Sequence, residues 1–232
     1  MSLITRPALA VVGLTACALT LLAPGTAHAT PAPPIATEHQ GHATDVLTYG
    51  DKIHPQNGYN SWNGGYLDTN GHATGNKYGV STASTPARAP GTGTWEILSA
   101  TGKPAGADVI SGDTVHLHNL YGGDGGYLDT NGHATAPNKY EVTTSSVKDR
   151  ATGTGRWRVF AESSTPNDSK VREGDVLRFL NGYDDWKGGF LDTAHAGPAG
   201  GLYEVSTSDY SDRSSGQGVP GTGTWKATKT TL

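Results

Sequence analysis

The stretch "GGYLDTNGHAT" at residues 64–74 recurs letter for letter at 125–135, and a relaxed copy, "GGFLDTAHAG", begins at Gly188. Repetition at a fixed period takes precedence over local secondary-structure readings. Working outward, Gly-Asp pairs stand at 50–51, 112–113 and 174–175, at intervals of 62 residues. After each pair, apolar positions alternate: Ile53 and Pro55, Val115 and Leu117, Leu177 and Phe179. His54, His116 and Arg178 lie between them and are expected to point outward. A period of two marks a strand. Further on come Tyr-x-Val segments starting at Tyr78, Tyr140 and Tyr203, then Gly-Thr-Gly-x-Trp segments ending at Trp95, Trp157 and Trp225. Each is a short β-prone run bounded by turn residues, so each unit is expected to hold four strands and the chain twelve.

Three units of about 62 residues are too few for a propeller, and one shared core is a better solution than three marginal ones. The order "GDxVxL, YLDT, YxVxT, W" resembles a β-trefoil over roughly residues 45 to 228. The resemblance implies an all-β fold: a β-trefoil of three ~62-residue four-stranded repeats with pseudo-threefold symmetry. Repeats are expected at about 45–107, 108–170 and 171–232, within a single domain over 45–232.

The N-terminus reads as a targeting segment. Arg6, the apolar run from Ala8 to Ala23 and the small-x-small site Ala27-His28-Ala29 form a signal peptide over 1–29, cleaved after Ala29. The run is short for a membrane span. "LTAC" at 14–17 resembles a lipidation box, but apolar residues continue beyond Cys17. Residues 30–44 are Pro-rich and read as a flexible leader; its His39 and His42 are not read as a metal site. Cys17 is the only cysteine, so the mature chain has no disulfide or thiolate chemistry. Without Arg6, 16 basic residues face 21 acidic ones, a net −5. That balance gives no reason to expect nucleic acid or an anionic membrane as partner. The expectation is a secreted, extracellular monomer; an Ala-rich, lysine-poor signal points to a bacterial source.

Repeated residues divide into scaffold and candidate chemistry. Leu67, Leu128, Leu191, Val80, Val142 and Val205 read as core. So do the closing tryptophans and the ring at Tyr66, Tyr127 and Phe190, where losing the hydroxyl implies packing. The Gly-Asp pairs read as turns, with the carboxylate taking backbone donors. Arg88, Arg150 and Arg213 each fall ten residues after the repeat tyrosine and are expected to pair with an Asp of the same unit.

Asp68, Asp129 and Asp192 admit two readings. As turn caps they accept backbone N–H bonds. Alternatively, the segment is similar to the Leu/Val-Asp segment of ricin-type trefoil lectins, whose Asp binds sugar hydroxyls; that resemblance implies ligand-binding roles for all three. The lectins' Gln-x-Trp and paired cysteines are absent here. The loops in front of Gly-Gly carry a second signal: "NGYNSWNGG" (57–65), "NLYGGDGG" (119–126) and "NGYDDWKGG" (181–189). Units one and three carry a Trp there and unit two does not. A Trp in a polar, Gly-rich loop suits stacking on a sugar face. The candidate ligand-binding residues are Tyr59, Asn60, Trp62, Asn63 and Asp68; Tyr121, Asp124 and Asp129; and Tyr183, Asp184, Asp185, Trp186 and Asp192.

The expected function is a lectin-like, secreted carbohydrate-binding protein with two or three sites, its partner a glycan surface. An alternative is a protein-binding module such as a protease inhibitor, with the irregular stretch at 207–223 as its loop. A glycoside hydrolase is disfavoured, because one active site needs two unlike carboxylates and here they come in equivalent triplicates. No catalytic motif, metal site or cofactor is read.

Overall fold

Each Gly-Asp pair turns the chain into a strand. Gly50, Gly112 and Gly174 take φ of 94°, 97° and 76°, a region only glycine enters freely. The following carboxylates accept the backbone N–H of Thr48, Ile110 and Arg172 at 2.7, 2.9 and 2.8 Å. The structure, a computed structural model, describes residues 45–162, 168–213 and 221–231. The signal peptide and its cut after Ala29, Cys17, the leader with His39 and His42, and residues 214–220 of the irregular loop lie outside the described residues. Among the described residues no helix is long and apolar enough to cross a membrane.

Twelve strands follow in order: β1 Lys52–Asn57, β2 Tyr66–His72, β3 Tyr78–Ala83, β4 Trp95–Ser99, β5 Thr114–Asn119, β6 Gly126–His133, β7 Tyr140–Ser145, β8 Trp157–Ala161, β9 Leu177–Asn181, β10 Phe190–Ala196, β11 Tyr203–Ser208 and β12 Trp225–Lys229. The all-β class agrees with the sequence reading. The β-trefoil of three four-stranded repeats does not, and is corrected to one closed antiparallel barrel-like sheet of twelve strands. Pairing holds β2–β3, β6–β7 and β10–β11 within repeats but also crosses the repeat boundaries. β1 matches β12 from Ile53↔Lys229 to Asn57↔Trp225, yet meets its own β2 only at Gln56↔Tyr66. β4 likewise runs along β5, and β8 along β9, for five residue pairs each. The four strands of a sequence unit are therefore not a unit of hydrogen bonding. The reason is that unpaired strand edges are costly, and closure across units removes them.

Two rings tie the ends of the sheet. At one, Leu47 N–H donates to Val171 O, Val171 to Val109 O, and Val109 to Leu47 O, at 2.8, 2.9 and 2.8 Å. At the other, β3, β7 and β11 each pair with both others, through Gly79↔Thr143, Ser206↔Glu141 and Glu204↔Ser81. Between them lies one core of Ile53, Val115, Leu177, Leu67, Leu128, Leu191 and the closing tryptophans, all nearly fully buried. Trp95, Trp157 and Trp225 donate Nε1–H to the carbonyls of Leu67, Leu128 and Leu191 at 2.8, 2.9 and 3.0 Å. Those carbonyls would otherwise face the core unpaired.

Two core expectations change. Tyr66, Tyr127 and Phe190 are only half-buried, so of the quoted phrase only the Leu is core. His116 does not point to solvent. It is buried, and its Nδ1 lies 2.7 Å from Gly155 O; burial holds its pKa below the usual imidazole value.

Candidate functional site

The loop before each Gly-Gly starts from a buried asparagine. Asn57, Asn119 and Asn181 are fully buried. Their Nδ2 groups donate to Thr222 O, Thr92 O and Thr154 O, each at 2.8 Å. Their Oδ1 atoms accept the backbone N–H of Tyr59, Tyr121 and Tyr183 at 3.0, 3.0 and 3.1 Å. A Cβ on Gly64, Gly125 or Gly188 would fall 2.0–2.2 Å from the same Oδ1, which is why the first glycine of the pair recurs. Asn-x-Tyr is thus a device that fixes where a tyrosine leaves the barrel.

Each tyrosine leans on the hairpin of a neighbouring repeat. Tyr121 meets Tyr78 edge to face at 5.5 Å, Tyr183 meets Tyr140 at 5.4 Å, and Tyr59 meets Tyr203 at 5.3 Å. On the other side of Tyr78 and Tyr140 lie the rings of His72 and His133, at 5.1 and 5.2 Å with 30° between planes. Two clefts result. One, of about 170 Å³, is lined by His72, Tyr78, Arg88 and Tyr121; the other, of about 200 Å³, by His133, Tyr140, Arg150 and Tyr183. Both fall below the ~300–1,000 Å³ of drug-sized pockets. At the third tyrosine pair, Ala196 stands opposite Tyr203, so the imidazole is missing there.

The arginines connect these clefts to the buried aspartates. Arg88 donates to Asp68 Oδ1 at 2.8 Å and to Thr69 O at 2.7 Å. Arg150 and Arg213 do the same to Asp129 with Thr130 O, and to Asp192 with Thr193 O. Nε and Nη2 are spent on the scaffold, and Arg88 and Arg150 at the same time form part of the cleft walls.

Asp68, Asp129 and Asp192 are accordingly corrected: they are not ligand residues. Each is 0% exposed and already bound to its arginine. They are more than simple turn caps: Asp129 and Asp192 accept a backbone N–H from Arg150 and Arg213, and all three also hold the guanidinium of their arginine. Burial raises the Asp129 carboxyl pKa against the pull of Thr154 and Arg150. Asp192 is pushed up to about 6 by burial, with Arg213 opposing; its Oδ2 accepts no hydrogen bond.

A sign follows. A carboxyl normally titrates near ~3.9 when unfolded. Between about pH 4 and 6 the native chain therefore holds more protons than the unfolded chain, and stability falls as pH rises through that window. Asp192→Asn removes this slope. In urea unfolding at pH 4.5 and 6.5, wild type is expected to lose up to about 2 kcal/mol more than the variant. His116 pulls the other way but does so in both proteins. Parallel losses would refute the assignment.

The loop tryptophans are placed differently from the sequence reading. Asn60, Ser61 and Trp62 have φ of 50°, 58° and 69°, as do Asp184, Asp185 and Trp186 at 49°, 55° and 66°. These are left-handed turns, costing L-residues roughly 1–2 kcal/mol per residue. They occupy Tyr59–Trp62 (α1) and Tyr183–Trp186 (α2). Trp62 and Trp186 are half-buried, and a cation covers one face of each: Lys226 Nζ at 3.9 Å and the Arg158 guanidinium at 3.8 Å from the ring centre. Cation–π contacts of this kind offset part of the turn strain. Trp62 and Trp186 are thus corrected from open stacking platforms to rim covers outside the clefts. Their polar neighbours Asn60, Asn63, Asp184 and Asp185 are exposed on the turns and line neither cleft.

Unit two shows why its Trp is absent. Lys226 and Arg158 each follow a closing tryptophan, and at that position after Trp95 stands Glu96. It faces His118, whose Nδ1 is 3.6 Å from Glu96 Oε2 and whose Nε2 is 3.1 Å from Asp124 Oδ1. Asp124 also meets Lys77 at 2.9 Å, and these partners hold its carboxyl down to about 2. Asp124 is an ion-pair member rather than a cleft residue. Of the sequence candidates, Tyr59, Tyr121 and Tyr183 are brought into aromatic pairs. Sequence reading missed Tyr78, Tyr140, His72 and His133 as cleft residues, although their repetition beside Gly and Asn was visible.

No family model matches the chain, and no curated protein does. Solved structures do. An SDF2-like protein from Arabidopsis thaliana superposes with a TM-score of 0.60 at 18% identity, over 81% of this chain and 98% of that one. A Caenorhabditis elegans protein of unknown function gives 0.58 at 18%, over 79% and 96%. The S. cerevisiae protein O-mannosyltransferase Pmt1-Pmt2 complex bound to the sugar donor gives 0.58 at 14%, over 82% of this chain and 26% of that one. At these identities the likeness is one of fold.

Proposed function

We propose that this chain is a secreted carbohydrate-binding protein that takes single sugar residues in the His72/Tyr78/Tyr121 and His133/Tyr140/Tyr183 clefts. The observation carrying the reading is the pair of small clefts in whose walls two tyrosine rings, an imidazole and an arginine meet. Aromatic faces supply area against sugar C–H groups and the guanidinium supplies a directional donor. Two equivalent clefts on one body add avidity on a repeating glycan. The same duplication favours binding over turnover, since glycoside hydrolysis needs two unlike carboxylates and Asp68 and Asp129 are spent on arginines. The protein acts as a monomer, without cofactor and outside the cell. The sugar donor named for the mannosyltransferase complex is consistent with this reading.

A glycan array tests it, followed by variants on the best glycan. Tyr78→Ala with Tyr140→Ala is expected to weaken binding at least tenfold, about 1.4 kcal/mol. Trp62→Ala with Trp186→Ala is expected to change it less than threefold. A blank array refutes the function; a loss confined to the Trp variants refutes the site.

A further inference from the structure

The triangle of β3, β7 and β11 encloses a third concavity that the sugar reading does not use. Its volume is about 520 Å³, within the range of small-molecule pockets. The floor is apolar: Val80, Val142 and Val205 line it and are 6%, 3% and 1% exposed. Around the mouth stand Asn70, Asn131, Glu141 and Glu204. The equivalent position on β3 is Gly79, where a Cβ would lie 2.8 Å from Asn70 O. The triangle therefore carries two carboxylates and one open side instead of three carboxylates. Scaffold elements of this chain repeat in all three units, and this constellation does not.

Charge gives the cavity its ligand class. Among the described residues neither Glu141 nor Glu204 has an ion-pair partner. The nearby lysines are engaged elsewhere, Lys139 with Asp209 and Lys77 with Asp124. Two uncompensated carboxylates over a low-dielectric floor focus a negative potential at the mouth. A bare divalent metal does not suit it, since calcium takes 6–8 close oxygen ligands and this space is far larger than an ion. We propose that the cavity binds a small organic cation, its ammonium group held between Glu141 and Glu204 and its carbon body against the three valines. Asn131 adds an amide at the rim, whereas the Asn70 Nδ2 is already spent on Ala199 O and Ser81 Oγ and leaves only its Oδ1 to accept. The inference uses none of the cleft tyrosines, and Asn131 is a wall shared between the cavity and the Tyr140 cleft.

Titration calorimetry on the intact protein tests it with glucosamine, putrescine and, as the neutral match, glucose. One amine is expected to bind at least tenfold more tightly than glucose. The Glu141→Gln/Glu204→Gln protein is expected to lose that preference while keeping its urea midpoint. Tyr78→Ala/Tyr140→Ala is expected to leave amine affinity unchanged. Glucosamine above putrescine identifies an amino sugar, and the reverse a polyamine; both support the site. Absence of heat from both amines, amine binding that survives in the Glu variant, displacement of the amine by calcium, or loss in the Tyr variant overturns it.

Discussion

Trp157→Ala is expected to be among the most destabilising single substitutions in this fold. Truncating a fully buried Trp costs about 3–5 kcal/mol through lost contacts and the cavity left behind. Leu128 O, which accepts Nε1–H at 2.9 Å, then faces the core without a donor, adding about 1–3 kcal/mol. Together these approach the whole stability of an ordinary domain, about 5–15 kcal/mol. Trp157→Phe separates the two effects: it keeps most of the packing and still loses the hydrogen bond. Urea unfolding of both variants gives the comparison. A loss below about 2 kcal/mol for the alanine variant would mean that the ring is not the support for the sheet described above.

Arg150→Met carries the second large effect. It leaves the Asp129 carboxylate, 0% exposed, without its guanidinium. Breaking one side of a buried pair costs about 3–5 kcal/mol, and the lower end applies because the Arg150 side chain is 35% exposed. The double variant Asp129→Asn/Arg150→Met is expected to be more stable than Arg150→Met alone, because the uncompensated charge is gone. Additive losses in the cycle would show that the two groups do not act as a pair. The same experiment reads on function. A buried structural Asp rescued in this way is scaffold, and sugar binding in the double variant then reports only on the loss of Arg150 from the cleft wall.

Much of the scaffold was legible because it repeats. Leu67, Leu128 and Leu191, the three closing tryptophans and the Gly-Asp turns recur at nearly constant spacing, and each meets the same surroundings in the fold. The Arg–Asp pairing was also readable, from Arg88, Arg150 and Arg213 at one offset from the repeat tyrosine. Burial of the aspartates was not, since "LDT" beside Asn-Gly is equally good chemistry for an exposed turn. The loop tryptophans misled for a similar reason. Their sequence surroundings are polar and Gly-rich, but their spatial neighbours are Lys226 and Arg158, from strands remote in the chain. A usable signal existed: the residue after the closing Trp is cationic where the neighbouring loop has a Trp, and is Glu96 where it has none.

By itself the sequence determined that this chain is all-β, where its twelve strands lie, and that the repeated Leu, Val and closing Trp side chains point inward. Those properties follow from period-two patterning and turn chemistry, which act over a few residues. Tertiary structure alone decided how the strands close. β1 with β12, β4 with β5 and β8 with β9 saturate edges that no single unit can satisfy. It also decided that Tyr121 lies on Tyr78 and Tyr183 on Tyr140, and that Glu141 and Glu204 share one cavity. Each of these joins residues from different repeats. A repeat encodes its own pattern in sequence, whereas contacts between repeats depend on the hydrogen-bond register across their boundaries.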